Sequence, residues 1–327
     1  MFGPPDVKKL ELKRDVEGLI EALAWDKDPK AAADVHFDAA EALGLIGDPR
    51  AVGPLVKALW DPSLSVRWIA AEALGRVRDP QVVDHLADLL KAHLPYEDEP
   101  FRRVCEEAIK SLGRLGDMRA VEPLVEALAS PVEELRHAAA DALDKLGWHP
   151  DNGSAGGAYW VVKHDWLKCM DIGAPAVAPL CALLTTVDAT TRMRAVETLG
   201  EIGDPRAVPA LAKCLKDWRL ARRETVVQAL GRIGDTSAAR VLVESLLIED
   251  VRSAAIQALS GIGEPAVRPL TTALESPDME LVGGAAEAVA AMGPVGGRIL
   301  HEFLNGPGQN APFAVRRIVA DAMGTIR

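Results

Sequence analysis

Leu43-Gly44-Leu45-Ile46-Gly47-Asp48-Pro49 is a phrase that keeps returning: as Leu74-Gly75-Arg76-Val77, Leu112-Gly113-Arg114-Leu115-Gly116-Asp117, Leu199-Gly200-Glu201-Ile202-Gly203-Asp204-Pro205 and Leu230-Gly231-Arg232-Ile233-Gly234-Asp235. Anchored on the leucines at 43, 74, 112, 143, 199, 230 and 259, it steps by 31, 38, 31, 56, 31 and 29 residues and continues in weaker form at Val289 and Met323. A period near thirty describes stacked supersecondary units, each burying its apolar face only against its neighbours. The 327 residues are therefore read as one continuous array, not as the several globular domains that length alone suggests.

Composition fits that reading. Hydrophobic residues make up 49% of the chain but aromatics only 4%, so the apolar content is Ala, Leu, Val and Ile, suited to closely packed helices. The net charge of -11 disfavours a polyanionic partner, because phosphate contacts need a surplus of Lys and Arg; nucleic acid is unlikely on that ground. The four cysteines, Cys105, Cys169, Cys181 and Cys214, show no Cys-x-x-Cys spacing. No stretch approaches the roughly 20 apolar residues of a membrane span, and no apolar signal run opens the chain. A cytoplasmic setting without membrane contact is expected.

In the unit spanning residues 61–91, Asp61-Pro62 is expected to open a first helix through Val66, Ala70, Ala73, Leu74 and Val77, and Asp79-Pro80 a second through Val82, Val83, Leu86, Leu89 and Leu90. Aspartate caps free backbone N–H groups, and proline at the first helical position loses no donor that was in use. Gly47, Gly116, Gly203 and Gly234 stand where a helix ends and the backbone takes a positive φ. Seven residues before the repeat leucine come Arg67, Arg136, Arg192, Arg223, Arg252 and Arg316; five after it come Asp48, Asp79, Asp117, Asp204, Asp235 and Glu264. Charges in register suggest an Arg-to-Asp ladder that stitches neighbouring repeats.

From Asp61-Pro62 to Leu90, and again from Arg192 to Leu215, the chain resembles the HEAT-like repeats named after phycobilisome lyases. The opening Phe2-Gly3-Pro4-Pro5 with Asp15-Val16-Glu17-Gly18-Leu19-Ile20-Glu21-Ala22-Leu23 is similar to the start of bacterial and archaeal proteins of that type. The resemblance covers nearly the whole chain. It implies an all-α fold, a right-handed α-solenoid of about ten helix-turn-helix repeats, with an N-terminal cap and the first half-repeats in residues 1–32 and a C-terminal irregular repeat in 295–327. Similar units occur in bilin lyases, in deoxyhypusine hydroxylase and in binding proteins without catalysis, so fold alone fixes no activity. Deoxyhypusine hydroxylases carry His-Glu pairs just after the arginine position to hold iron. Here those positions read Phe37-Asp38, Trp68-Ile69, Glu106-Glu107, His137-Ala138, Met193-Arg194, Glu224-Thr225, Ser253-Ala254, Gly283-Gly284 and Arg317-Ile318. None is His-Glu, and His301-Glu302 lies on a second helix outside that register. That enzyme is excluded, and neither metal nor cofactor is expected.

Two insertions interrupt the period. An acidic, proline-bounded loop is expected at Pro95-Tyr96-Glu97-Asp98-Glu99-Pro100-Phe101. An aromatic-rich repeat, residues 147–175, holds Trp148, Tyr159, Trp160 and Trp166 and is expected to have a longer first helix. Its aromatics either fill a change of packing angle or form an exposed hot spot. His149, His164, Asp165 and Cys169 match no closed zinc spacing.

In such a solenoid the resemblance places the first helix of each repeat on the concave face. The partner-binding residues expected there are Phe37, Trp68, Ile69, His137 and Met193 as anchors, with Glu41, Glu72, Asp141 and Glu197 to favour a basic protein or peptide. The function expected is a non-enzymatic interaction scaffold; the alternatives are a phycobilin-lyase-like factor and, against the charge, a nucleic-acid binder using Arg219, Arg222 and Arg223. Because the sequence finishes on a first helix, Val315 to Met323, self-association through that C-terminal edge is also expected.

Overall fold

The computed structural model describes residues 4–94, 99–185, 188–216 and 222–326, and among these it contains helices and turns but no strand. Phe2, Gly3, most of the expected acidic loop (residues 95–98) and Arg219 lie outside the described residues. The fold is an α-solenoid. Its helices divide between two compact units, residues 1–151 and 152–327.

Unit 1 holds α1 (Val7–Leu12), α2 (Val16–Leu23), α3 (Pro29–Ile46), α4 (Val52–Ala58), α5 (Leu64–Val77), α6 (Val82–His93), α7 (Glu99–Leu115), α8 (Val121–Ala127) and α9 (Glu133–Lys145). The first helices α1, α3, α5, α7 and α9 pack in succession, and α2, α4, α6 and α8 form the second layer beside them. The repeat leucines face the seam between the layers: Leu43, Leu74, Leu112 and Leu143 are wholly buried. Each contributes about 1.5–3 kcal/mol of apolar burial.

The recurring Leu-Gly dipeptide has a steric cause. A Cβ on Gly44 would stand 2.7 Å from both Cα and Cβ of Ala73 on the next first helix, and one on Gly113 would stand 2.9 Å from the Ala142 Cβ. Gly75 meets Ser111 in the same way. At these three joints the residue after one repeat leucine abuts the residue before the next one. Only hydrogen on one side lets the two backbones approach so closely. The Ser111 hydroxyl uses this proximity, donating to the Ala71 carbonyl at 2.9 Å, while Arg114 donates to Ser111 and to the buried Glu107.

Helix ends follow the expected signals with one refinement. Gly47 ends α3 at φ 71° in the left-handed region, whereas at the same register α5 ends on Arg78 at φ 58°. Asp48 then caps a short 3-10 turn, Pro49–Ala51, before α4 begins. At Asp61-Pro62 the expectation needs correction. α5 starts at Leu64, and Asp61 accepts instead from the Ser63 N–H and pairs with His36 on the preceding first helix.

Unit 2 holds α10 (Ser154–Val162), α11 (Trp166–Ile172), α12 (Val177–Leu183), α13 (Ala189–Ile202), α14 (Val208–Lys216), α15 (Arg223–Ile233), α16 (Thr236–Ser245), α17 (Arg252–Ile262), α18 (Glu264–Leu274), α19 (Met279–Ala290), α20 (Pro294–Asn305) and α21 (Phe313–Met323). First helices α11, α13, α15, α17, α19 and α21 pack in succession. The same seam recurs, with Gly200 against Ala229 and Gly231 against Ala258. The aromatic insertion differs from expectation. Its first helix, α11, has only seven residues, and Tyr159 and Trp160 lie on α10, which packs on α12 and the turn before it in the second layer. Tyr159 is buried, and Trp160 and Trp166 pack partly into the core of this unit.

On α21, Val315 and Val319 are buried, and Ile318 and Met323, with Ile326 beyond the helix, pack partly against the core. Arg316, Arg317 and Asp321 are exposed, as is Phe313, at 81%. Among the described residues no helix is long and apolar enough to cross a membrane.

Candidate functional site

The expected anchors of unit 1 are partly brought together. Phe37 on α3 and Trp68 on α5 stack, with ring centroids 6.1 Å apart and planes 20° from parallel. The Arg103 guanidinium on α7 lies 5.4 Å from the Trp68 ring centroid. Three consecutive first helices thereby contribute one row in which Trp68 meets an aromatic ring and a cation. Such contacts contribute about 0.5–1.5 kcal/mol each beyond burial. Arg103 was not legible as a member of the row, because it stands nine residues before its leucine, not six.

Ile69 is not part of this surface. It is 1% exposed, because α5 is covered by α3 on one side, α7 on the other and α4 of the second layer behind. A helix hemmed in this way buries a wider arc than one resting on a single surface. Glu41 is exposed beside the row. Glu72 is largely covered and accepts from Arg76 at 2.7 Å one turn on. His137 is on α9, 3.8 Å from Glu133 and half exposed, and Asp141 on the same helix is exposed. Met193 and Glu197 belong to α13 in unit 2, where Glu197 pairs with Arg194 at 3.2 Å.

A second aromatic row joins the ends of the second-layer helices α4 and α6 to the starts of α5 and α7. His93 packs between Trp60, at 5.8 Å, and Phe101, at 4.6 Å, and Arg67 faces Phe101 at 5.9 Å. Burial, and then the nearby Arg67 charge, lower the His93 pKa. Phe101, expected in a loop, is part of α7.

Among the described contacts two other devices stand where the Arg-to-Asp ladder was expected. Two of the arginines seven before the leucine turn to the loop that starts their own helix. Arg67 donates to the Asp61 carbonyl at 2.6 Å, and Arg136 to the Ser130 and Pro131 carbonyls. Two others reach the next repeat: Arg223 pairs with Asp250 at 3.5 Å just before α17, and Arg252 with Glu280 at 3.5 Å and Glu287 at 3.7 Å on α19. Hydrogen bonds from Thr191 chiefly lower the Asp188 carboxyl pKa, and the nearby Arg192 charge adds to them. None of the hydrogen bonds or ion pairs described joins these arginines to Asp48, Asp79, Asp117, Asp204 or Asp235.

Those aspartates cap instead. Asp48, Asp117 and Asp204 each accept from the backbone N–H two residues on and clasp the arginine there, Arg50, Arg119 and Arg206. The arginine of each clasp then reaches the preceding repeat: Arg50 to Glu17, Arg119 to Asp84 and the Pro80 carbonyl, Arg206 to the Ala174 carbonyl. The guanidinium pulls the Asp48 carboxyl down to about 2 and lowers those of Asp117 and Asp204. The signal was present as Asp-x-Arg-Ala-Val at 48–52, 117–121 and 204–208. Asp79 accepts from the Gln81 N–H and Asp235 from that of Ala238.

Among the described residues no group of three or more His, Cys, Asp or Glu could hold a metal ion. All four cysteines are free thiols, and burial pushes Cys105 and Cys169 up to about 12. Asp165 caps α11 through the Lys168 N–H.

Comparison with known proteins matches residues 16–98, 96–154 and 177–250 to the model for HEAT repeats. No curated protein matches the sequence. Similar solved structures include human deoxyhypusine hydroxylase, 21% identical over 98% of each chain with a TM-score of 0.34. Another is the complex of CpcE and CpcF of phycocyanin lyase from Nostoc sp. PCC7120, 24% identical over 78% of this chain and 84% of that one, with a TM-score of 0.36. An engineered protein is 20% identical over 96% of this chain and all of its own (100%), with a TM-score of 0.31. The repeated leucine phrase, the two packed helix layers and the family match agree: the chain belongs to the HEAT repeat family.

Proposed function

We propose that this protein is a non-catalytic scaffold that binds a protein or peptide on the first-helix surface of unit 1, centred on Phe37 and Trp68. The supporting observation is the row Phe37, Trp68 and Arg103, held on three successive helices with its rings only partly covered. Aromatic and arginine side chains dominate interface energetics when a partner completes their burial. Glu41, exposed beside the rings, adds a carboxylate that favours a basic partner segment and speeds its approach. Met193 and Glu197 would extend the same use of first helices to unit 2.

The test compares capture of partners from the native source by the wild type, Phe37→Ala, Trp68→Ala and Leu12→Ser. Leu12 is 87% exposed and serves as a remote apolar control. A partner retained by Leu12→Ser but weakened about thirtyfold or more by the ring variants, a loss of about 2 kcal/mol, supports the surface. Equal retention by all four folded proteins refutes it.

A further inference from the structure

Second-layer helices of unit 2 leave clefts between them, and two are nearly equal in size. One of about 720 Å³ lies between α12 and α14, and another of about 740 Å³ between α16 and α18. Both fall within the roughly 300–1,000 Å³ typical of small-ligand sites. Their charges differ. The α16–α18 cleft balances Arg240 and Arg268 with Glu244 and Glu275. The α12–α14 cleft is lined by Arg192, Arg206 and Lys213 with no acidic residue, in a chain of net charge -11.

The floor of that cleft is apolar, formed by Val177, Leu184 and Ala210 with the thiols of Cys181 and Cys214. Burial is the main cause that raises the Cys181 pKa, so this group stays a neutral lining thiol. Asp204 holds one edge of Arg206 at 2.6 Å, and Lys213 stands exposed at the rim. An apolar floor under a rim that keeps Lys213 as a cation beyond the Arg206–Asp204 and Arg192–Asp188 neighbours complements a molecule with an apolar body and a single anionic group.

We infer that the α12–α14 cleft binds an amphipathic carboxylate, an acyl or aryl acid whose body lies on Val177, Leu184 and Ala210 and whose carboxylate meets Lys213 and Arg206. This site is separate from the first-helix surface and stands independently of the scaffold reading. A neutral molecule of the same length gains the floor but not the rim, so the charge decides specificity.

The test titrates dodecanoate and dodecan-1-ol into the full chain by calorimetry, with alkylation of Cys181 as a local reporter. Cys181 is the only partly exposed cysteine, since the other three are buried. The expected result is one dodecanoate per chain, at least tenfold weaker binding of the alcohol, and slower Cys181 alkylation when the acid is bound. Lys213→Glu should weaken dodecanoate at least tenfold with unchanged melting; if it unfolds the unit, Lys213→Met supplies the same comparison. Absence of binding, equal affinity for acid and alcohol, unchanged affinity in the Lys213 variant or unshielded Cys181 would overturn the site. A Glu-Leu peptide that binds where dodecanoate does not would overturn it in favour of a peptide groove.

Discussion

Replacing Gly200 by Ala tests the reason for the Leu-Gly repeat. The new Cβ would stand 2.8 Å from the Ala229 Cα, 2.9 Å from its Cβ and 3.5 Å from its carbonyl oxygen. Ordinary carbon contacts are about 3.5–4.0 Å, so α13 and α15 must part by several tenths of an ångström. No flexible side-chain end lies in the way to yield instead. Overpacking of this kind costs about 1–3 kcal/mol, against roughly 1 kcal/mol gained by removing a helical glycine. Gly261 on α17 is the matched control, because a Cβ there has nothing within 4 Å and Gly261→Ala should gain about 0.5–1 kcal/mol. The difference between the two variants, about 1–3 kcal/mol, isolates the packing term. Repeat arrays need not unfold in one step, so the assay is hydrogen exchange of α13 and α15 together with urea melting. Protection should fall in those two helices first. Gly200→Ala as stable as Gly261→Ala would refute the close-approach account.

Other outcomes follow from the electrostatics and the exposed residues. Asp48 has its pKa lowered in the folded chain to about 2 from an unfolded value of about 3.9, so its contribution is complete above about pH 5 and disappears as pH falls through about 2; the melting difference between wild type and Asp48→Asn should shrink over that window, and a constant difference would sink the clasp. Arg67→Ala removes the donor to the Asp61 carbonyl and should cost about 1–2 kcal/mol in urea unfolding, whereas Arg223→Ala, which breaks a 3.5 Å pair to the exposed Asp250, should cost less than about 1 kcal/mol; the reverse order would count against the carbonyl anchor. Phe313 is 81% exposed on α21, so Phe313→Ser should reduce any concentration-dependent rise in mass by light scattering, and a wild type of constant mass would show that this residue drives no self-association.

Fold and site were unequally legible. Periodicity alone gave the helix pairs, because the buried leucines and the glycine caps depend on local backbone and on the nearest neighbour. Gly44 and Gly200 could be counted in sequence, but their purpose could not be read there, since Ala73 and Ala229 become adjacent only across stacked helices. Ile69 was misjudged because a helical wheel shows one buried stripe, while a helix between two neighbours is covered on three sides. The ladder failed for a related reason. Arg67 and Asp79 share a repeating register, but a register gives spacing without direction, and the nearer backbone carbonyl of Asp61 takes the guanidinium. In the insertion, aromatic content suggested a first helix, whereas Ser154–Val162 occupies the second layer and Trp166–Ile172 keeps only two turns.

The glycine-against-alanine seam gives four pairs of successive repeats the same joint. Any unit that offers hydrogen after its leucine and a methyl before it can dock on any other, whatever its outward residues are. Duplication or exchange of a repeat therefore leaves the coupling intact, and the outward columns are free to diverge. The joint between Gly75 and Ser111 is the keyed exception: its hydroxyl answers the Ala71 carbonyl and leads into Arg114 and Glu107. A graft there must carry its polar partners with it, which makes α5 and α7 an inseparable pair in an otherwise modular chain.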